Sequence, residues 1–467
     1  MLEERREAAH ARSGYHSPSR SSYLGRECMR VVVVGTGHVG LLTAATLSAI
    51  GHDVVGMDED EEKIEGLTKG ISPFYEPGLS ELIDKGATAG TLRFEVTPEA
   101  VGGAEVLFIC VGTPARVSGE ANLVAIERSA RAIARHLSGP IVVVEKSTVP
   151  AGTAQRLWRV LTLERPDLAD EIEVVSNPEF LREGQAVEDS FRPGRILVGA
   201  RSKRGFDGMR RLYGPLIESG ARLIETDIAT AELAKHASNA FLAMKISYAN
   251  ALARLCERAN ADVTAVADVM GSDPRIGRAF LDAGLGWGGY CFPKDLQAFE
   301  RLAARLGYDF PLLREVERIN DEAIVAAVEK VKDALWNLED KRVALLGLSF
   351  KPGTDDVRLS PALALARKLI DEGAEVVGYD PEAGANAKSD LPELVVAPGV
   401  YDALDGAHCV VVCTEWDEFR SLDLDRAKEL LAHPIIVDGR NLFEPAEVRG
   451  RGFVYYGTGR ASDPGMH

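Results

Sequence analysis

The sequence predicts an α/β protein in which two doubly wound domains are joined by one long helix. Three observations carry this expectation. Arg30–Val34, a run of valines, leads through a glycine turn and a helix into the strand Asp53–Met57, with Asp58 at its end. Lys341 to Asp380 repeats the order of strand, loop, helix, strand and aspartate. Between them, residues 227–261 form an alanine-rich stretch without proline or glycine.

A chain of 467 residues exceeds one ordinary core. It is expected to divide into a first domain at 29–226, a central helical domain at 227–335, and a third domain at 336–467. Hydrophobic residues at 46% and charged residues at 27% place it among globular proteins. The formal charge of -17 argues against nucleic acid or an anionic membrane as partner. No apolar run approaches the roughly 18 residues needed to cross a bilayer. The six cysteines lack disulfide or zinc spacing, which suits a reducing cytoplasm and predicts no metal site. Residues 1–28 are rich in Arg, Glu, Ser and His without apolar periodicity, so a disordered tail is expected. It lacks the apolar core of a secretory signal. Met29 opens the first strand, and the tail is either an upstream start or an artificial extension.

Within the first domain, Gly35-Thr36-Gly37-His38-Val39-Gly40 sits between a strand and a helix running to about Ile50. Such glycines make the tight turn, admit a pyrophosphate and let the helix pack closely, while the helix N-terminus faces the phosphates. Asp58 is placed for a ribose 2′-hydroxyl, which favours NAD over NADP, although Lys63 lies near. The strands Val106–Val111 and Ile141–Glu145 end in Gly112-Thr113-Pro114 and Lys146-Ser147-Thr148-Val149-Pro150. Thr113, Ser147 and Thr148 therefore lie where ligands bind in such sheets, unless they only cap helices. A further strand end carries Asn177-Pro178-Glu179-Phe180-Leu181-Arg182-Glu183-Gly184, with Glu179 and Glu183 on one face if the chain is helical there.

The central stretch, as one helix, would be about 50 Å long. Its apolar residues occur on nearly every face, so it should be buried all round, in part against a second subunit. Lys235 and Asn239 share one face of it. The bland alternative for Lys235 is a solvated side chain, and His236 reads as structural. Further on, Gly286-Trp287-Gly288-Gly289-Tyr290-Cys291-Phe292-Pro293-Lys294-Asp295 presents a cysteine on a glycine-dense loop, flanked by charges that could tune it. That pattern suits a nucleophile. In the third domain the glycine fingerprint is replaced by Phe350-Lys351-Pro352-Gly353-Thr354-Asp355-Asp356-Val357-Arg358. Lys351, Arg358 and Arg440, the last in Asp438-Gly439-Arg440-Asn441, then read as cations for a phosphorylated ligand or as surface ion pairs.

Taken in order, these motifs resemble the UDP-glucose/GDP-mannose dehydrogenase family, together with Pro73-Phe74-Tyr75-Glu76-Pro77-Gly78-Leu79 and Glu232-Leu233-Ala234-Lys235. The resemblance covers Met29 to about Gly459. Cys-Phe-Pro-Lys-Asp and Asp-Gly-Arg-Asn are more similar to its UDP-glucose branch than to its GDP-mannose branch. His38, Tyr290 and Gly194 depart from the usual tyrosine, serine and polar residue. The resemblance implies two Rossmann-like domains and oxidation of UDP-glucose to UDP-glucuronate with two NAD+ and one water. Cys291 would hold the aldehyde as a thiohemiacetal and then a thioester. Lys235 and Asn239 would face its oxyanion, and Asp295, Thr148 and Lys235 would work with an ordered water. Either Glu179 or Asp295 would activate the hydrolytic water. Around NAD it implies Gly35, Gly37, His38, Val39, Gly40, Asp58, Lys63, Gly112, Thr113, Ser147, Thr148, Glu183, Lys294 and Arg358. Around the sugar nucleotide it implies Glu179, Phe180, Leu181, Arg182, Lys235, Asn239, Phe280, Leu281, Gly284, Gly288, Lys351 and Arg440. Arg275 would join them, reaching in from a neighbouring subunit of a homodimer or larger homo-oligomer. GDP-mannose or a UDP-N-acetylhexosamine is the alternative substrate, and a non-catalytic NAD-binding redox sensor is the alternative of another class.

Overall fold

The computed structural model describes residues 27–114, 116 and 118–460, and the chain divides into two compact units. Met1–Thr113 and Leu123–Glu232 form the first; Pro114–Asn122 and Leu233–His467 form the second. Of the expected disordered tail, all but Glu27 and Cys28 lies outside the described residues.

The first unit holds the strands β1 (Arg30–Val34), β2 (Asp53–Met57), β3 (Leu92–Glu95), β4 (Val106–Ile109), β5 (Ile141–Glu145), β6 (Ile172–Ser176), β7 (Ile196–Gly199) and β8 (Leu223–Thr226). Their spatial order is β3-β2-β1-β4-β5-β6-β7-β8. Side chains alternate across a strand, so a continuous apolar run must be covered on both faces. Val31 and Val33 enter one core, together with Val106 and Phe108. Val32 and Val34 enter another, with Leu107 and Ile109. That double burial makes a valine run a central parallel strand rather than an edge.

Two strands break the parallel pattern, since β7 and β8 run parallel to each other but against the rest. β7 meets β6 antiparallel through the pair Ser176↔Gly199. Beyond the end of β6 the Asn177 side chain continues the ladder, its Nδ2 donating to the Leu197 carbonyl at 2.7 Å. The start of β7 is thereby carried to the carboxyl end of β6, and the Arg195 guanidinium lies 3.9 Å from the centre of the Phe180 ring. Residues 177–185 are not helical, so Glu179 and Glu183 do not share a helix face as expected. α-Helix resumes only at Ala186.

The second unit repeats the architecture with β9 (Arg342–Leu346), β10 (Glu375–Tyr379), β11 (Val395–Val396), β12 (Cys409–Val412), β13 (Ile435–Asp438) and β14 (Val454–Gly457). The order is β11-β10-β9-β12-β13-β14, parallel throughout. Val343 and Leu345 face one core and Ala344 and Leu346 the other, the same two-sided burial as in β1. Two Rossmann-like sheets are therefore present, as the sequence predicts.

Four helices matter for the site: α1 (His38–Ala49), α2 (Ile228–Ala259), α3 (Cys291–Arg305) and α4 (Pro311–Leu335). The beginning of α4 packs Leu313 and Val316 against Trp287, Ala240 and Ala243, while its end packs Ile324 to Leu335 under β9. One helix so belongs to two cores, and the segment expected as a domain of its own falls mostly in the second unit. The long helix runs as predicted but is not buried all round within the chain. Phe241, Tyr248 and Leu255 are exposed along it.

Candidate active site

In the first unit, α1 begins at Gly37 with no side chain capping its N-terminus. The three glycines of the turn do different work. A Cβ at Gly40 would stand 1.8 Å from the Gly35 carbonyl oxygen, so only glycine lets helix and strand come this close. A Cβ at Gly37 would meet no protein atom within 4 Å. The space there faces the uncapped N–H groups and suits a diphosphate. Asp58 Oδ2 accepts from the Thr36 N–H (2.8 Å), the Thr36 hydroxyl (3.0 Å) and Lys63 Nζ (3.0 Å). Burial alone would raise the Asp58 carboxyl, but those donors outweigh it and hold it below its usual range. The acid is thus an anion whose charge Lys63 partly offsets, while Oδ1 accepts only a 3.2 Å bond from the Asp60 N–H. An open glycine turn and a carboxylate at the end of β2 fit a dinucleotide.

The neighbouring strand ends carry the other expected residues. Thr113 donates to the Thr148 carbonyl (2.9 Å) and Ser147 to the Val111 carbonyl (2.8 Å), which lace the loops after β4 and β5 together rather than cap helices. Gly112 lies beside them. Glu179 is buried, followed by Phe180 and Leu181, and Lys146 Nζ holds Asn177 Oδ1 at 3.1 Å. Arg182 is engaged with Asp189 through both Nε and Nη2. His38 stacks on Phe74, ring centroids 4.1 Å apart, with Nε2 3.3 Å from Glu76 Oε2.

In the second unit, the cysteine expected on a loop is the first residue of α3, with Tyr290 as N-cap. The N–H groups of a first helical turn favour an anion at that point. Burial pushes the Cys110, Cys409 and Cys413 thiols up to about 12, whereas Cys291 is only half-buried. Lys294 and Asp295 follow on the same helix, and Lys294 Nζ lies 2.9 Å from Asp295 Oδ1. Asn239 of α2 donates to Asp295 Oδ2 at 2.5 Å. Lys235, one turn earlier on that face, is 4% exposed, which rules out the solvated alternative. Burial would raise Asp295, but Lys294, Lys235 and His236 outweigh it and keep it below the usual carboxylate range. Burial would likewise lower Lys294, and Asp295 more than restores it. The cluster is one half-buried thiol beside a buried carboxylate with two lysines around it.

The expected sugar-nucleotide loop meets the Asp-Gly-Arg turn. The Leu285 N–H donates to the Gly439 carbonyl at 3.1 Å, and Arg440 Nε to the Cys413 carbonyl at 2.8 Å. Leu281 is buried and Phe280 packs 6.5 Å from Phe292. Gly288 approaches Leu359 so closely that a Cβ would stand 2.3 Å from its carbonyl oxygen. Lys351 Nζ sits 5.5 Å from the Phe350 ring centre. Arg275 stays apart: its side chain is 86% exposed and paired with Asp273.

Three pieces of the chain match family models in sequence order. They are the NAD binding domain of the UDP-glucose/GDP-mannose dehydrogenase family at residues 29–217, its central domain at 229–322 and its UDP binding domain at 344–445. The chain belongs to this family. UDP-glucose 6-dehydrogenase of Rhizobium meliloti is 44% identical over 92% of this chain and 100% of its own. UDP-glucose 6-dehydrogenase YwqF of Bacillus subtilis is 42% identical over 92% and 98%. Among solved structures, a UDP-glucose dehydrogenase from Pyrobaculum islandicum superposes with a TM-score of 0.86 at 37% identity, covering 94% of this chain and 99% of that one.

In this UDP-glucose/GDP-mannose dehydrogenase, several positioning residues escape a reading of motifs. Asn320 of α4 clamps the cysteine loop, its Oδ1 accepting from the Trp287 N–H (2.7 Å) and its Nδ2 donating to the Trp287 carbonyl (3.0 Å). Ser247 and Asn250 of α2 hold the Trp287 indole N–H (2.9 Å) and the Gly284 N–H (2.8 Å). In the first unit, buried Glu76 accepts from the Gly184 and Ala186 N–H groups at 2.7 and 2.8 Å. Glu76 lies in a segment the sequence singles out; the others carry no local signal.

Proposed function

We propose that the chain oxidises the primary alcohol of UDP-glucose to the carboxylate of UDP-glucuronate, consuming two NAD+ and one water per sugar. The observation that carries this reading is Cys291 at the N-terminus of α3, beside the buried Lys294–Asp295–Asn239 cluster. A single alcohol oxidation needs no nucleophile; stopping an aldehyde from leaving does. The dinucleotide, when bound, supplies the hydride acceptor for both oxidations. The Cys291 sulfur adds to the C6 aldehyde carbon, and the resulting oxyanion is stabilised by Lys235 and Asn239. After the second oxidation the carbon is a thioester. Water adds to it, the C–S bond breaks, and the Cys291 thiolate leaves with the carboxylate and a proton as the other products. Asp295 is buried, paired with Lys294 at one oxygen and bonded by Asn239 at the other, and kept below its usual range, which makes it a weak base. It acts as counter-ion to Lys235 and Lys294, which leaves Glu179 as the base proposed for the hydrolytic water.

Cofactor contacts are proposed for Gly35, Gly37, His38, Val39, Gly40, Asp58, Lys63, Gly112, Thr113, Ser147, Thr148, Glu183, Lys294 and Arg358. The sugar nucleotide takes Glu179 to Arg182, Phe280, Leu281, Gly284, Gly288, Lys351 and Arg440, with Arg275 arriving from a second copy. Measuring NADH formed per sugar consumed with UDP-glucose, GDP-mannose and UDP-N-acetylmannosamine tests the reading. Two NADH with UDP-glucose alone is expected; one NADH, or preference for another sugar, sinks it.

The second copy is proposed to dock on α2. Phe241, Tyr248 and Leu255 recur every seven residues, with Ala237, Met244 and Ala251 between them, the spacing of a helix–helix seam. No charged residue interrupts that stripe, so it is complementary to itself. Phe241→Glu is expected to convert the dimer to monomer in sedimentation experiments; an unchanged mass would remove this face from the interface. Among the described residues no helix is long and apolar enough to cross a membrane. That no disulfide joins the cysteines of the described residues supports a reducing, cytoplasmic setting.

A further inference from the structure

Tyr290 stands where the family resemblance leads one to expect serine, and its ring is flanked by cations. The Arg358 guanidinium carbon lies 4.6 Å from the ring centre and Lys294 Nζ 5.7 Å from it. Both fall within the roughly 6 Å over which a ring face attracts a cation. Arg358 is held from a second direction as well. Its Nε and Nη2 pair with the two oxygens of Asp356 at 2.9 and 2.6 Å, and its N–H donates to Asp356 Oδ1 at 2.9 Å. An edge fixed by a carboxylate and a face fixed by a ring leave a guanidinium little rotational freedom. The same ring belongs to the residue that caps α3, immediately before Cys291.

We propose that Tyr290 is a positioning residue that holds Arg358 by a cation–π contact, in a fixed orientation beside the start of the nucleophile helix. The aromatic face does this work, and the hydroxyl is dispensable. Burial pushes the phenol up although Lys294 and Arg358 pull the other way, so the ring stays neutral. A serine could offer no such surface to the guanidinium. Lys294, already paired with Asp295, gains a second attraction toward the same ring.

This inference rests on the cofactor role proposed for Arg358 and deepens it. Steady-state kinetics with NAD+ and UDP-glucose varied separately provide the test. Tyr290→Phe keeps the face and is expected to leave the KM for NAD+ and kcat within about twofold. Tyr290→Leu keeps apolar volume without the face and is expected to raise that KM by about threefold to twentyfold, with kcat changed far less. Arg358→Ala is then made in both backgrounds. Its effect on the KM should be large in the parent and at least halved beside Tyr290→Leu, because the ring has nothing left to orient. Thermal melts run alongside separate a folding defect, which would lower kcat and melting temperature together and would also appear in Tyr290→Phe. Effects that simply multiply, or a Tyr290→Leu variant indistinguishable from the parent, overturn the inference while leaving Arg358 a ligand. An unchanged KM in Arg358→Ala alone overturns the cofactor role of Arg358, and this inference with it.

Discussion

Cys291→Ser is expected to lower steady-state kcat by roughly a thousandfold or more, about 4 kcal/mol of barrier, while leaving the fold intact. The two side chains are nearly isosteric, and the position is half-buried at a helix start where serine is well tolerated. What changes is the chemistry. An alkoxide is far harder to form than a thiolate, and an ester is hydrolysed less readily than a thioester. The variant should therefore stall after hydride transfer or accumulate a covalent sugar adduct. Rapid-quench NADH measurements give the first outcome and intact-protein mass spectrometry the second. Unchanged turnover would refute a covalent role for Cys291 and return it to the structural thiols. Cys409 and Cys413 exemplify these, each pushed up to about 12 by burial.

Asp295→Asn should cost both activity and stability. The amide can keep a contact with Asn239 by turning its oxygen, so the substitution isolates the charge. Lys294 and Lys235 are then buried cations without their anion, and removal of one partner from a buried pair typically costs about 3–5 kcal/mol. A kcat loss on the order of a hundredfold should accompany it as Lys235 loses its orientation. The pH dependence has a definite sign. The folded Asp295 carboxyl is held below its usual range. Its contribution is therefore complete above the unfolded value near about 3.9 and is lost as pH falls through the lower, folded value. Urea denaturation should show a constant gap between parent and variant from neutral pH down to about pH 5, narrowing in stronger acid. A gap that is absent at neutral pH, or that persists in acid, would show that the carboxylate is not ionised and paired as described.

Much of this could be read in the sequence because the physics involved is local. The valine run of β1, the glycine turn and Asp58 are consecutive, and two-sided burial makes the strand parallel without reference to anything distant. The second sheet could be read for the same reason, since Val343 to Leu346 alternate between two cores as Val31 to Val34 do. Helix periodicity puts Lys235 and Asn239 on one face but leaves the lysine a solvated alternative, which only its burial removes. What could not be read depends on partners remote in the chain. The glycine-dense stretch predicts a cysteine on a loop, yet Asn320, Ser247 and Asn250 fasten that loop and the cysteine begins a helix. The pairing of Arg358 with Asp356 lies within one short segment, but no periodicity marks it. The reversal of β7 follows from tertiary context, where Asn177 replaces a backbone rung.

The two sheets place an aspartate at the same point, the end of the second strand, and use it differently. In the first, Asp58 binds Thr36 and Lys63 through one oxygen and leaves the other with a single long bond. In the second, Asp380 Oδ2 accepts from the Leu348 and Ser349 N–H groups, the Ser349 hydroxyl and the Trp416 indole, while Oδ1 accepts from Glu382 and Ala383. Every lone pair there is turned inward. One carboxylate keeps an acceptor toward the open turn, whereas the other works as a rivet that stitches its loop to the sheet.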